Sequence, residues 1–354
     1  MPRAAGAERS TIEDVAHAAG VSVATVSRAL RGLPNVAVST RARIEEVARG
    51  LNYRPDPNAS RLATGRSRAV AVVVPFINSW YFANIIAGVE AVCTDGGYDV
   101  LVLTTPSAAT RSDAVAGPIG LDRRVDGMIF VEVALGHDDI AEFERLGVAV
   151  VTMGQRIDAF PSINVDNVAI GRIAGQHLVG LGHRRIGVVA GQAEDPVNFD
   201  VPRQRIDGMR EALAAVGGRL DAKLVASGQF TIDGGYRAAM TLLTRTPRPT
   251  ALFALSDEMA IGVLLATRDL RLDIPGDVSL VGVDDHECAE VMGLTTVRQD
   301  VVEHGATAAR ALLRQVLAPA GATSGTLRRR ASPAVSPTQL VVRRSTRPLE
   351  GVDP

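Results

Sequence analysis

The sequence is poor in cysteine, lysine and aromatic residues. Of its 354 residues only two are cysteine, one is tryptophan, and 4% are aromatic. Cys93 and Cys288 are far apart in the chain, so no disulfide framework is expected and a reducing compartment fits. The single lysine, Lys223, follows Ala222 rather than a glycine. A Walker phosphate-binding loop, which needs the pair Gly-Lys, is therefore excluded.

Long apolar runs are also missing. The sequence has no stretch of about 18 uncharged apolar residues that could cross a bilayer. Residues 1–9 carry Arg3, Glu8 and Arg9 and lack the apolar core of a signal peptide. We therefore expect a cytoplasmic protein without a membrane partner.

Motifs of common enzyme classes are absent as well. The sequence contains no G-x-S-x-G nucleophile elbow, and His286-Glu287 has no second histidine four residues later. Asp284 and Asp285 are adjacent carboxylates, but neighbours at a strand end point in different directions. His183 fits a packing role between a helix and a strand. We expect no catalytic residue, no metal site, no cofactor and no enzymatic activity.

Charge is distributed unevenly along the chain. The whole sequence has a formal net charge of −1, whereas residues 1–66 hold ten arginines and six acidic residues, a net of +4. A solvated surface would explain this excess, but a positive N-terminal segment also suits contacts with phosphates.

The pattern at the N-terminus predicts two short helices. Thr11 can cap a first helix by accepting from the amide of Asp14. Glycine reaches the left-handed backbone conformation that ends a helix, so Gly20 is expected to end this one. Ser22 is a second N-cap. The first helix has one apolar stripe, formed by Ile12, Val15, Ala16 and Ala19.

The second helix has two distinct faces. Its apolar residues are expected to pack on the first helix, and they are Val26, Ala29 and Leu30. Its other residues are expected to point outward, and they are Val23, Ala24, Thr25, Ser27 and Arg28. Two short helices joined by a glycine-containing turn predict a helix-turn-helix, whose second helix can enter a major groove. Thr25 and Ser27 suit phosphate oxygens, and Arg28 can donate two hydrogen bonds to guanine.

A third helix and a linker follow. Ser39 or Thr40 is expected to cap the helix, whose apolar stripe is Ile44, Val47, Ala48 and Leu51. Pro55 and Pro57 end this head because proline blocks helix hydrogen bonds. Residues 58–63 predict a helix of little more than one turn. Such a helix is too short to be stable alone, so it suits a switch.

From Ala69 onward, apolar strands alternate with helices. Strands are predicted at 69–75, 99–103, 127–131, 148–153, 185–190, 250–254 and 278–283. This alternation is typical of parallel α/β sheets with helices on both faces. About 280 residues are long for one such unit, so two lobes are expected. Ligands of such folds bind outside the carboxyl ends of the strands, here in the cleft between the lobes.

Several ordered motifs resemble the lactose-repressor (LacI) family of bacterial transcriptional regulators. They are the runs 11–16, 20–22, 24–30 and 50–55 in the head, 58–67 in the hinge, and 125–129, 182–186, 205–208, 274–279 and 282–285 in the body. The resemblance implies a helix-turn-helix head followed by a two-lobed effector domain like periplasmic sugar-binding proteins, with three crossings between the lobes. We predict a head at 1–56, a hinge at 57–68, an effector domain at 69–346 and a tail at 347–354.

The resemblance also implies which residues meet DNA. They are Thr11, Ser22, Val23, Ala24, Thr25, Ser27, Arg28, Asn52, Tyr53, Ala59, Arg61 and Leu62. Leu62 matches a leucine that the family wedges between base steps in the minor groove, which kinks the duplex. A linker leucine packed on the body is the alternative.

Five residues match the family's effector pocket. Arg205 and Asp284 match an arginine and an aspartate from opposite walls, a pair suited to a polyhydroxylated ring. Phe230 matches a stacking aromatic, and Tyr81 and Phe82 match ring-contacting positions. The alternatives are an ordinary Arg205–Asp284 ion pair and a core role for Phe82. Trp80 suits either the pocket mouth or surface packing.

Together these features predict a DNA-binding repressor controlled by a small molecule. Purine-binding relatives have an additional arginine where this chain has Phe199, so a sugar is the expected effector. The expected partners are a pseudo-palindromic operator and a second copy of the chain, with a tetramer also open. A solute-binding protein of a sugar transporter is the alternative function, but it would not need residues 10–65.

Overall fold

A computed structural model of the chain describes residues 10–30, 32–53, 66–105, 124–191, 200–318, 334–335 and 337–349. The chain divides into two compact units, Met1–Ser67 and Arg68–Pro354. Ala59, Arg61 and Leu62, the three hinge residues predicted to contact DNA, lie outside the described residues.

The described residues of the first unit form three helices, and the N-terminal capping agrees with the sequence. Helix α1 spans Ile12–Ala19, α2 spans Val23–Leu30 and α3 spans Val38–Gly50. The Thr11 hydroxyl accepts a hydrogen bond of 3.3 Å from the Asp14 amide, and the Asp14 carboxylate accepts one of 2.8 Å from the Thr11 amide. Gly20 ends α1 with a φ of 64°. Both local predictions for α1 are confirmed.

The predicted start of α3 is wrong. The helix begins at Val38, and its N-cap Ala37 makes no side-chain capping bond. The Ala37 carbonyl accepts from the Arg41 amide at 2.9 Å, so the helical hydrogen bonds start before Ser39 and Thr40. Both of these residues lie in the first turn instead of capping it.

Three side chains form the centre of the small core of this unit. Val15 of α1, Val26 of α2 and Ile44 of α3 each have 0% exposure. Leu51, expected on the apolar stripe of α3, is instead exposed, and its carbonyl accepts a 2.8 Å bond from the Ser10 hydroxyl. The predicted apolar stripes of the three helices therefore pack in one core, and the prediction fails only at Leu51, at the end of α3.

The described residues of the second unit form two sheets of six strands each. The strands are β1 Ala69–Val74, β2 Asp99–Thr104, β3 Gly127–Val131, β4 Ala149–Met153, β5 Ser162–Asn164, β6 Ile186–Ala190, β7 Val225–Ser227, β8 Ala251–Ala254, β9 Ser279–Asp284, β10 Thr295–Arg298, β11 Ala334–Val335 and β12 Gln339–Val341. The first sheet has the order β11-β5-β4-β3-β1-β2, and the second has the order β12-β10-β9-β8-β6-β7. Neighbouring strands run parallel except β10 and β12, which pair antiparallel.

Helices follow most of the strands. They are α4 Trp80–Asp95, α5 His137–Leu146, α6 Asn167–Gly180, α7 Val201–Ala214, α8 Ile232–Leu243, α9 Asp257–Asp269, α10 Glu287–Met292 and α11 Val301–Val316. The chain passes between the sheets from β5 to α6, from β10 to α11 and from β11 to β12. The predicted fold, a helix-turn-helix head and a two-lobed α/β domain with parallel sheets, is confirmed.

Strand burial explains the sequence patterns in the first lobe. Every residue of β1 is buried, as its uninterrupted apolar run predicts, because helices cover both faces of the sheet. The edge strand β2 is largely exposed or half-buried. Among the described residues, no helix is long and apolar enough to span a membrane.

Two helices of the second lobe cross at close range. A side chain at Gly171 of α6 would place its Cβ 1.9 Å from the carbonyl oxygen of Arg205. A Cβ at Gly208 of α7 would lie 2.0 Å from the carbonyl oxygen of Val168. Both glycines are therefore required for this contact, which fixes the position of the backbone at Arg205.

The segment predicted as a C-terminal tail packs on the second lobe. The Arg347 amide donates to the Ser279 hydroxyl at 3.1 Å, and the Leu349 amide donates to the Leu181 carbonyl at 2.8 Å. The buried His183 bonds to the Thr250 and Ser279 hydroxyls and the Arg347 carbonyl at 3.0–3.1 Å. Residues 347–349 are thus part of the effector domain, and His183 has a structural role.

Candidate DNA-contacting helix and ligand-binding cleft

Helix α2 presents small and polar residues to solvent. Val23 is 39% exposed, Ala24 and Arg28 are exposed, and Thr25 and Ser27 are half-buried. Ser22 accepts a 3.2 Å bond from the Thr25 amide, and the two hydroxyls lie 2.9 Å apart. The exposed residues form a surface that fits a groove, while Ser22 and Thr25 also hold the start of the helix.

The other head positions predicted to contact DNA lie at the helix ends. The Thr11 hydroxyl bonds the Asp14 carboxylate at 2.9 Å, so it is engaged within α1. Asn52 follows α3 with a φ of 49° and is exposed. Tyr53 is half-buried against the three-helix core, and its amide donates to the Ala48 carbonyl at 2.9 Å.

Arg205 on α7 is a buried cation held by neutral acceptors. It is 5% exposed, its Nε donates to the Asn167 side-chain oxygen at 3.0 Å, and its Nη1 donates to the Leu255 carbonyl. Burial lowers the pKa of Arg205, and the nearby carboxylate of Asp284 counteracts this effect most strongly. Neither bond uses the other terminal nitrogen of the guanidinium.

Asp284 lies at the carboxyl end of β9 in a backbone conformation with a φ of 116°. Its Oδ1 accepts a 2.6 Å bond from the Gln299 amide group. Burial raises the pKa of Asp284 to about 6, while the charge of Arg205 acts in the opposite direction. The expectation that Arg205 and Asp284 come from opposite walls needs correction, because both belong to the second lobe.

The neighbouring carboxylates of this lobe, Asp257 and Asp285, are bonded to other residues of the lobe. Asp257 accepts from the Thr296 hydroxyl at 2.8 Å and from the His286 amide at 2.9 Å. Burial, and then the charge of Asp284, raise the pKa of Asp257. Asp285 points away from Asp284, toward Arg298 at 2.6 Å and Arg343 at 2.7 Å. The expected divergence of the two adjacent carboxylates is therefore observed.

The first lobe contributes Tyr81 and Glu132 opposite Arg205. The Tyr81 hydroxyl lies 3.5 Å from Glu132 Oε1, a long and weak hydrogen bond. Burial raises the pKa of Glu132 to about 7, and the positive charge of Arg205 opposes this rise. Burial also raises the pKa of Tyr81. Glu132 was not predicted as a site residue, yet it provides the carboxylate of the first lobe.

The predicted aromatic contacts divide into two kinds. Phe82 is 4% exposed in the core of the first lobe, with its ring 5.0 Å from that of Phe76 and 5.3 Å from that of Tyr81. The core alternative therefore describes Phe82 better than a ligand contact. Phe230 is half-buried after β7, and a Cβ at Gly191 would lie 2.3 Å from its ring. Phe230 thus lies at the carboxyl edge of the second sheet, as Asp284 does.

Trp80, the residue before Tyr81, reaches the opposite lobe. Its indole N–H donates to the Glu287 carboxylate, and its ring centroid lies 4.9 Å from that of His286. The Ser79 hydroxyl also donates across the cleft, to Glu258 at 3.0 Å. Of the two alternatives for Trp80, a position at the rim of the cleft is the one observed.

Sequence reasoning missed four polar residues of the cleft. They are Glu132, Asn167, Asp257 and Gln299. Glu132 and Asp257 each follow an apolar strand by one to three residues, at the edge where ligands of such sheets bind. The position of Glu132 and Asp257 just after a strand could therefore have identified both as site residues from the sequence. The described residues contain no group of three or more His, Cys, Asp or Glu placed to hold a metal.

A helix-turn-helix unit joined to a two-lobed body with a polar cleft defines a class of ligand-responsive DNA-binding proteins. Residues 11–56 match the model of bacterial regulatory proteins of the lacI family, and residues 175–346 match that of the periplasmic binding protein-like domain. The chain is 32% identical to catabolite control protein A of Priestia megaterium, over 86% of this chain and 92% of that protein.

Solved structures agree with this assignment. The lac repressor dimer bound to operator and the anti-inducer ONPF has a TM-score of 0.82 at 27% identity, covering 96% of this chain and 100% of that one. The complex of the transcriptional regulator CelR with cellobiose has a TM-score of 0.66 at 31% identity, covering 95% and 100%. The chain belongs to the LacI family of bacterial regulatory proteins. It is a DNA-binding transcriptional regulator.

Proposed function

We propose that the chain is a repressor whose operator affinity is controlled by a sugar or sugar derivative bound in the cleft. The observation that carries this proposal is that the buried charges of Arg205 and Asp284 lie close enough to act on each other within the cleft. Asn167 and the Leu255 carbonyl hold the Arg205 guanidinium, and Gln299 holds Asp284. One terminal nitrogen of the guanidinium then remains for a ligand, beside the Asp284 carboxylate. A guanidinium only donates hydrogen bonds and an ionised carboxylate only accepts them, so the two side by side suit the hydroxyl groups of a sugar ring. The cellobiose found in the CelR complex supports this ligand class.

On DNA, two copies of the chain bind a pseudo-palindromic operator. Each α2 enters a major groove with Val23, Ala24 and Arg28 toward the bases, and Leu62 of each hinge enters the minor groove between the half-sites. The lac repressor structure, a dimer on its operator, supports this arrangement. A ligand that changes the angle between the lobes then changes operator affinity, and DNA changes ligand affinity by the same factor.

The alternative, a solute-binding protein of a transporter, shares the two-lobed body but has no use for a helix-turn-helix unit. The relatives above are regulators rather than transport proteins or enzymes. We accordingly propose a non-catalytic protein of the cytoplasm that uses no cofactor beyond its effector.

The test is calorimetric titration of the full-length protein with a panel of mono- and disaccharides, followed by operator binding with and without the sugar that binds. We expect the wild type to bind one of them and its operator affinity to change by about tenfold. Asp284→Ala should keep operator binding and lose the sugar response, while the exposed control Asp138→Ala keeps both. If no sugar binds, or if Asp284→Ala responds normally, the proposed effector site is refuted.

A further inference from the structure

The cleft is bridged at its rim by side chains from both lobes. Trp80 stands at the first position of α4 in the first lobe, and its indole N–H donates to Glu287 of α10 in the second lobe. The indole also lies against the imidazole of His286, with 4.9 Å between ring centroids and 34° between planes. We name Trp80, His286 and Glu287 the rim clasp.

The clasp partners in the second lobe are held in place. His286 caps α10, because its Nδ1 accepts a 3.0 Å bond from the Cys288 amide. Its own amide donates to Asp257 at 2.9 Å, which ties the loop to the base of the cleft. The imidazole therefore presents a fixed face to Trp80, and Glu287 follows it directly at the start of the helix.

Solvent exposure places the clasp at the boundary between the cleft and water. The Glu287 side chain is 70% exposed, whereas that of His286 is only 12% exposed. Trp80 is half-buried, and its neighbour Ser79, which is 8% exposed, makes the second bridge to Glu258. Solvent thus reaches Glu287, while His286 and Ser79 are largely covered.

The clasp is also adjacent to the effector site on both lobes. Trp80 precedes Tyr81, and His286 comes two residues after Asp284. Consecutive Cα atoms are about 3.8 Å apart, so the clasp lies within roughly 4–8 Å of chain from the site residues. A ligand seated at Arg205 and Asp284 that extended toward this rim would have to pass between Trp80 and Glu287.

We propose that the rim clasp determines effector size by closing the cleft over one sugar ring and excluding a second ring on that side. The inference rests on the proposed sugar-responsive function. Trp80 is then a specificity-determining residue that need not bond the ligand. Its large, rigid ring fills the rim, and the hydrogen bond to Glu287 holds the ring there.

The test compares glucose, cellobiose and cellotriose in calorimetric titrations of the full-length wild type, Trp80→Ala and Glu287→Ala. Glu290→Ala is the matched control, since Glu290 is an exposed acid on the same helix α10. We expect the wild type to bind glucose at least tenfold tighter than cellobiose. Both clasp variants should reduce this ratio to threefold or less, and the control should leave it unchanged.

A second readout uses the one tryptophan of the chain as a local probe. Acrylamide should quench Trp80 fluorescence at least twice as strongly in Glu287→Ala as in the wild type or in Glu290→Ala. Unchanged quenching means that the clasp does not hold the ring and overturns the proposal. If the sugars bind but the clasp variants leave the ratio of glucose to cellobiose affinity unchanged, the size limit alone is overturned. Binding of none of the three sugars counts against the sugar-responsive function and the size limit built on it, while the quenching result still decides the clasp contact.

Discussion

A hydrogen bond of 3.0 Å joins the Arg205 guanidinium on α7 to the Asn167 side chain on α6. Asn167 is 7% exposed and stands at the first position of its helix, directly after the chain enters the second lobe. The residue that orients the cation of the cleft therefore lies on the crossover between the lobes. A change in lobe angle and a change at Arg205 can be coupled through this contact.

Asn167→Ala removes that acceptor. An unsatisfied buried N–H costs about 1–3 kcal/mol, so the free energy of unfolding should fall by that amount. Effector affinity should also fall by about tenfold, because Arg205 is no longer held in one orientation. Urea denaturation and calorimetric titration measure the two effects, with the exposed Gln176→Ala on α6 as a control. A variant that loses stability but binds the effector normally would show that Asn167 supports the fold and does not orient Arg205 for the effector.

Gly171→Ala tests the close crossing of α6 and α7. The added Cβ would lie 1.9 Å from the Arg205 carbonyl oxygen, so the helices must separate. Overpacking of this kind costs about 1–3 kcal/mol or more. Gly180→Ala is the matched control on the same helix, since its Cβ would meet nothing within 4 Å. Thermal unfolding should show a lowered midpoint for Gly171→Ala only. Equal midpoints for the two variants would contradict the crossing described here.

The raised pKa of Glu132 predicts that its contribution to the stability of the fold decreases as the pH rises. Its carboxyl has an ordinary pKa of 4.5 and one of about 7 in the fold, owing first to burial. The folded state therefore holds a proton that the unfolded state loses between these values. Its contribution to stability is present below pH 4.5 and is lost as the pH rises through about 7.

Glu132→Gln cannot lose that proton, so its stability relative to the wild type should rise between pH 5 and pH 8. We expect a gain of about 1–2 kcal/mol, less than the full shift implies because the side chain is partly exposed. Chemical denaturation at the two pH values measures it, with the exposed Glu290→Gln as a control. Parallel stability curves for wild type and Glu132→Gln would show that Glu132 does not titrate in this range.

Arg28→Ala tests base recognition by α2. Loss of a bidentate guanine contact should cost about 1–3 kcal/mol and relax the preference at one base pair in each half-site. Arg28→Lys keeps the charge but loses the planar fork, so it should restore part of the affinity and little of the specificity. Quantitative binding to operators randomised at single positions measures both. An Arg28→Ala variant with the wild-type base preferences would remove Arg28 from direct readout.

Local chemistry made much of the fold predictable. Thr11, Asp14 and Gly20 specify the ends of α1 through bonds within a few residues, and the uninterrupted apolar run of β1 specifies a buried parallel strand. The same reasoning failed for α3, where Ser39 and Thr40 looked like caps. Backbone bonds alone start that helix at Val38, and no local rule distinguishes the two possibilities.

The candidate site was predictable only in part. Arg205 and Asp284 were found by resemblance, but their common lobe follows from the chain path, not from spacing. Glu132 could have been found from its position after β3. The Trp80–Glu287 contact joins residues 207 positions apart, and only the folded arrangement of the two lobes brings them together.

The most direct measurement of the central claim is selection of bound fragments from the source genome by the purified full-length protein, at two salt concentrations. If the protein is an effector-controlled repressor, the fragments selected at both salt concentrations should share one recurring pseudo-palindromic sequence. Their affinity should be lower at the higher salt concentration, because phosphate contacts release counterions. Fragments with no shared sequence, bound only at low salt, would mean that the head makes phosphate contacts alone, and they would contradict the account.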